Sequence, residues 1–156
     1  MDNENEDGPV RRMLCGMTDE TPQPLPLDQM SPIIDQRSLE RTWRMLMGEL
    51  GFATPQLWML FLDPTGHIEL VVPVHESPLE WEDDMRSGLL RVLESVRPDS
   101  VAFLFARPGG RLRTPADMTW ARALAEISQR LGSPWPVHLA NDHELTVVAP
   151  DDLVTV

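Results

Sequence analysis

The stretch "VAFLFARPGGRLRTPAD", Val101 to Asp117, decides how the chain is read. Its first six residues, Val101 to Ala106, are continuously apolar, as a strand buried on both faces requires. Pro108-Gly109-Gly110 then turns the chain. Thr114-Pro115-Ala116-Asp117 opens a helix, with a hydroxyl at the N-cap, proline at the first helical position and an acid three residues after the cap. A helix N-terminus offers unpaired amides and partial positive charge, and nearby arginines add bidentate donors. Arg107, Gly109, Gly110, Arg111, Arg113, Thr114 and Asp117 are therefore the candidate anion- or partner-binding residues. A plain turn with solvated arginines accounts for the same residues, and no phosphate-loop pattern is present.

Working outward, the helix after Thr114 is expected to run to about Leu131, with Met118, Ala121, Leu124, Ala125 and Leu131 inward and Gly132 ending it. Glu126 and Arg130 are spaced to pair along it. "PVHLA" (136–140) and "ELTVVA" (144–149) read as two further strands. On the N-terminal side, Ser77-Pro78-Leu79-Glu80 repeats the Thr114 start grammar. It predicts a helix from there to about Val96, with Met85, Leu89, Val92 and Val96 on the buried face. The acids Glu80, Glu82, Asp83 and Asp84 crowd its first turns and read as a solvated face. "LWMLFLD" (57–63) and "HIELVVPV" (67–74) form a hairpin about Asp63-Pro64-Thr65-Gly66, with Pro73 suited to an edge. Leu39, Trp43, Leu46 and Leu50 mark a helix over about 38–50, closed by Gly51.

The order helix, strand, strand, helix, strand, helix, strand, strand predicts an α/β fold: one mixed sheet of about five strands with three helices packed on it. Trp43, Trp58 and Trp120 are expected in the core. Trp81 and Trp135 are expected at the surface, as residue types favoured at interfaces.

Composition bounds the function. A chain of 156 residues holds one domain's core, and residues 37–156 are assigned to it. Residues 1–36 carry eight acids, two arginines and five prolines and read as a disordered acidic arm, with "PLPLDQMSPII" as its apolar exception. The acidic start MDNENEDG lacks the features of a secretory signal, so a cytoplasmic location is expected. The net charge of -12 argues against nucleic-acid and anionic-membrane partners. All thirteen basic residues are arginine, which removes Schiff-base and phosphate-loop lysine chemistry. Cys15 stands alone, so neither an intrachain disulfide nor a cysteine-built zinc site is available. His138, Asp142 and His143 place two imidazoles and a carboxylate within six residues, a candidate metal set for a hydrolase. His67 and His75 take ordinary positions at strand ends. No Ser-His-Asp arrangement can be assembled.

With these elements in place, residues 57–148 resemble the RadC-type branch of the JAB/MPN metalloprotease-like fold. In that family an opening strand ends in apolar-Leu-Asp, as "LWMLFLD" does. A later apolar strand enters a His-x-His-Pro-Ser-Gly loop, followed by Ser, two residues and Asp at the head of a long helix. Pro108, Gly110, Thr114, Asp117 and His138 match that course.

The resemblance puts Phe105 and Arg107 at the two metal histidines and Gly109 at the loop serine, and its glutamate falls near Pro55 or Gln56. The loop is also one residue short before Asp117. A catalytic zinc needs three protein ligands, so the resemblance implies a domain without its metal centre, with no cofactor and no catalytic residue. Arg107, a permanent cation beside Asp117, is then expected to form a salt bridge in place of the metal. Cytidine-deaminase-like folds share the element order, but their zinc pattern needs paired cysteines. The expected function is a protein-interaction or scaffold module with an unknown protein partner or a second copy. A small-anion or nucleotide binder at 107–117 and a hydrolase at His138, Asp142 and His143 are the alternatives.

Overall fold

The structure, a computed structural model, describes residues 30–153. Cys15 and the acidic arm over 1–29 lie outside the described residues. In chain order the elements are α1 (Gln36–Met47), β1 (Gln56–Leu62), β2 (Ile68–Val74), α2 (Asp83–Val96), β3 (Ser100–Ala106), α3 (Pro115–Arg130), β4 (His138–Ala140) and β5 (Leu145–Val147), followed by a 3₁₀ turn at Pro150–Leu153. The strands form one mixed sheet in the order β2-β1-β3-β4-β5. Only β3 and β4 are parallel, with α3 as their crossover; the other neighbours are antiparallel. This is the α/β architecture of five strands and three helices that the sequence predicts.

Side-chain alternation along β3 makes the sheet the middle of three layers. Val101, Phe103 and Phe105 join a core with Leu89 and Leu93 of α2 and with Trp120, Ala121, Leu124 and Ile127 of α3. Ala102, Leu104 and Ala106 point the other way, into a second core with Leu39 and Trp43 of α1. Cross-strand pairing keeps the faces in step, Met59 opposite Phe103 and Leu57 opposite Phe105 on one side, Leu60 opposite Ala102 on the other. A strand covered on both faces has no use for polar residues, hence the unbroken apolar run.

The helix boundaries differ from expectation in ways that have local causes. α1 begins earlier than predicted because Asp35 caps it: its carboxylate accepts from the Ser38 amide, and the Ser38 hydroxyl accepts in return from the Asp35 amide. It ends at Gly48 (φ 62°), which leaves Leu50 outside the helix. α2 does not start at Ser77. The Ser77 hydroxyl donates to the Val74 carbonyl and its amide to the Pro55 carbonyl, so the residue anchors the exit from β2. The helix begins only at Asp83, behind Glu82, which makes no side-chain cap. Its buried face is Leu89 and Leu93; Val92 and Val96, expected inward, are exposed. On α3 the buried apolar set is Trp120, Ala121, Ala123, Leu124 and Ile127, while Leu131 is exposed. Glu126 pairs with Arg86 of α2 at 3.1 Å and so ties the two helices together.

Residues 30–36, read from sequence as part of the arm, pack on the domain. Met30 and Ile33 are buried in the second core, and the Ile33 amide donates to the Gly66 carbonyl. Trp43 and Trp120 are fully buried as predicted, whereas Trp58, Trp81 and Trp135 are half-buried. Pro73 sits on the edge strand β2, as expected. No helix among the described residues is long and apolar enough to cross a membrane.

Gly66, the last residue of the hairpin turn, has φ 90°, and a Cβ there would collide with the Ile33 carbonyl. Gly66→Ala is therefore expected to destabilise the protein by about 2 kcal/mol or more, from backbone strain and loss of the 30–34 docking together. Urea unfolding of the full chain measures it, and a midpoint equal to that of the parent would refute the account.

Candidate functional site

The site follows from β3 carrying its alternation one step past the strand. Phe105 faces the α2/α3 layer, so Arg107, two residues on, faces the same way and meets the first turn of α3. Its backbone amide donates to the Ala140 carbonyl at 3.0 Å, which extends the parallel pairing by one residue. Its side chain is held in a bidentate pair with Asp117, Nε to Oδ1 and Nη2 to Oδ2, both at 2.8 Å. Both side chains are buried, 7% and 4% exposed. The salt bridge expected from the resemblance is present.

The remaining polar capacity of the pair is also used. Arg107 Nη2 donates to the Leu112 carbonyl at 2.8 Å and Nη1 to the Pro108 carbonyl at 3.1 Å. Asp117 Oδ2 accepts from the Thr114 amide, while the Thr114 hydroxyl accepts from the Asp117 amide, a full capping box. Hydrogen bonding to Asp117 raises the Arg107 pKa further above its ordinary value. The carboxylate that a helix N-terminus attracts is thus supplied by the helix itself.

Each of the other candidate residues has a distinct place. Gly109 (φ 116°) lies over the guanidinium, where a Cβ would come within 2.8 Å of Arg107 Nη1. Its amide donates to Asp142 Oδ2 at 2.8 Å, and the Asp142 amide donates to its carbonyl. Arg113 reaches across to β5 and the 3₁₀ turn: Nη1 pairs with Asp152 at 3.0 Å, and Nη2 donates to the Val147 carbonyl at 2.8 Å and to the Thr146 hydroxyl. Gly110 and Arg111 are exposed, and Leu112 is 87% exposed. Thr114 with Pro115 and Ala116 forms one wall of a cleft of about 380 Å³; Leu79, Glu80 and Trp81 form the opposite wall.

Phe105, where the resemblance would place the first metal histidine, is fully buried and stacks on Trp120 with ring centroids 4.3 Å apart. Trp120 also meets Trp81 edge-on at 5.1 Å and donates its indole N–H to the Leu79 carbonyl. A zinc ion does not fit these residues: an aromatic ring and a guanidinium stand where the resemblance would place two ligands, and Asp117 is already engaged by Arg107 and the Thr114 amide.

The second constellation does not assemble. His138 is completely buried on β4, in the layer that packs on α1. His143 is exposed in the turn. Asp142 is engaged by the Gly109 and Phe52 amides, in that order the causes that hold its carboxyl below the usual range. Among the described residues, no three of His, Cys, Asp and Glu converge as a metal site would require. Sequence reading missed Asp142 as the lash between the loop, residue 52 and the β4–β5 turn, since its partners lie 33 and 90 residues away.

No protein-family model matches the chain, and no curated protein matches it either.

A buried pair predicts strong coupling. Asp117→Asn and Arg107→Met should each cost about 3–5 kcal/mol, because each strands its partner, whereas the double variant should cost clearly less than the sum. Denaturant unfolding of the four proteins gives the coupling energy, and additive losses would contradict a paired role.

Burial pushes the His138 pKa down to about 4 from an ordinary 6.5; neither ring nitrogen has a hydrogen-bond partner among the described residues, and the charge of Glu40 pulls the other way and is outweighed. Above pH 6.5 the ring is neutral in both folded and unfolded chains. As pH falls from 6.5 towards 4 the unfolded chain takes up a proton that the folded one refuses, so stability is lost across that window. The loss is about 3 kcal/mol by the linkage relation. His138→Leu should flatten that part of the stability profile relative to the parent; equal slopes would exclude His138 as the cause.

Proposed function

We propose that this protein is a non-catalytic domain of RadC/JAB-like type that works as a protein-interaction or scaffold module. The Arg107–Asp117 pair carries the reading, because it stands where the resemblance places the metal and neutralises the one surviving ligand position. A cation fixed by a planar bidentate contact substitutes for a metal charge structurally, yet it offers no open coordination position to a substrate or water. The small-anion alternative is disfavoured by the same contacts, since Arg107 and Arg113 spend their donors within the domain. The loop instead presents a leucine and an arginine to solvent on a rigid base, which suits recognition of another protein.

Two measurements test the halves of this reading. Protein purified without chelator is expected to carry no stoichiometric transition metal, and millimolar zinc, phosphate or ATP is expected to leave its unfolding temperature unchanged. Stoichiometric zinc, or a stabilisation by phosphate that Arg111→Ala abolishes, would remove the non-catalytic or non-anion reading respectively. Capture from the native cell with full-length bait and with bait lacking residues 1–36 is expected to recover a defined protein; recovery of nothing would sink the interaction half.

A further inference from the structure

The 108–113 loop is braced at every point except its tip. Its entry is held by the Gly109–Asp142 hydrogen bonds, the Leu112 carbonyl by Arg107, and its exit by Arg113 on β5 and Asp152. Between these anchors Arg111 and Leu112 face solvent, Leu112 at 87% exposure. A leucine held out in this way contributes little to the isolated domain, and its ordering cost has already been met. Two residues further on, the first turn of α3 becomes a wall of the cleft of about 380 Å³, with Leu79, 49% exposed, and Trp81 opposite and Glu80 exposed beside them. One surface therefore carries an apolar knob with a cation beside it and a cleft of mixed lining, in which Leu79 and Trp81 stand with Glu80 and with Arg107, the latter already paired to Asp117.

We propose that this surface binds a second copy of the same chain about a two-fold axis, each Leu112 entering the other's cleft and each Arg111 meeting the other's Glu80. The proposal rests on the interaction-module reading and names its partner. Self-complementarity is the defining property of a two-fold interface: what one residue touches across the axis, the other touches in return. Two local charges, not the net charge, select this occupant. A chain of net charge -12 repels both a second copy and an anionic membrane in general. A specific cation at the knob and a specific anion at the cleft give close approach of two copies its orientation. The cleft takes one leucine side chain with room for its neighbours, so the contact is small and the dimer weak and concentration-dependent.

Sedimentation equilibrium of the full chain over a range of concentrations tests this. A reversible monomer–dimer equilibrium is expected, with a dissociation constant on the order of tens of micromolar. Leu112→Asp should weaken it by at least about tenfold. Arg111→Glu and Glu80→Arg should each weaken it, and the chain carrying both should recover most of the parent affinity, because the swap restores opposite charges across the axis. These residues are exposed, so matching unfolding midpoints confirm that the variants are folded. A monomer at all concentrations overturns the proposal. So does a dimer indifferent to Leu112→Asp, a double swap no better than its singles, or a ladder of larger species in place of a closed dimer. A monomer that still captures another protein sinks the self-association alone, whereas stoichiometric zinc sinks the non-catalytic reading beneath it.

Discussion

Two hydrogen bonds of 2.8 Å between Arg107 and Asp117 hold the end of β3 against the start of α3, and the surrounding loop takes its form from them. A buried ion pair recovers its desolvation cost only when its remaining donors and acceptors are also satisfied. That condition explains the close fit around this one. The Pro108 and Leu112 carbonyls meet the guanidinium, the Thr114 amide meets the carboxylate, and Gly109 leaves room where a side chain would strike Arg107. The positive end of α3 is neutralised from within, so the loop needs no bound anion to be ordered.

The three arginines of this loop show why their identity matters. Arg107 uses the guanidinium fork to grip both carboxylate oxygens and a carbonyl at once. Arg113 spreads its nitrogens over a carboxylate, a hydroxyl and a carbonyl on another part of the sheet. A lysine, with one compact ammonium, would not make either set. Arg111 lies exposed between them.

Much of the fold was legible because β3 and the start of α3 carry strong local signals. The apolar run reads as a central strand, and Thr114-Pro115-Ala116-Asp117 forms the capping box that its grammar predicts. The same grammar at Ser77-Pro78-Leu79-Glu80 misleads, because tertiary contacts claim Ser77 before it can cap anything. The α1 start was missed for a complementary reason: its capping box places serine, not an acid, at the third helical position. Arg107 and Asp117 were expected as a pair only through the family resemblance, since they lie ten residues apart and no local spacing brings them together. The burial of His138 was not, because β4 has only three residues and offers too short a pattern to assign a face.

The sheet itself limits how this protein can be approached. Its outer strands are β2 and β5, where unpaired backbone normally invites another strand to add on. β2 carries Pro73, which has no N–H to offer. β5 is three residues long, and its Val147 carbonyl is taken by Arg113. Both edges are thus poor templates for strand addition, which guards an apolar-centred sheet against runaway edge-to-edge stacking and leaves recognition to side chains.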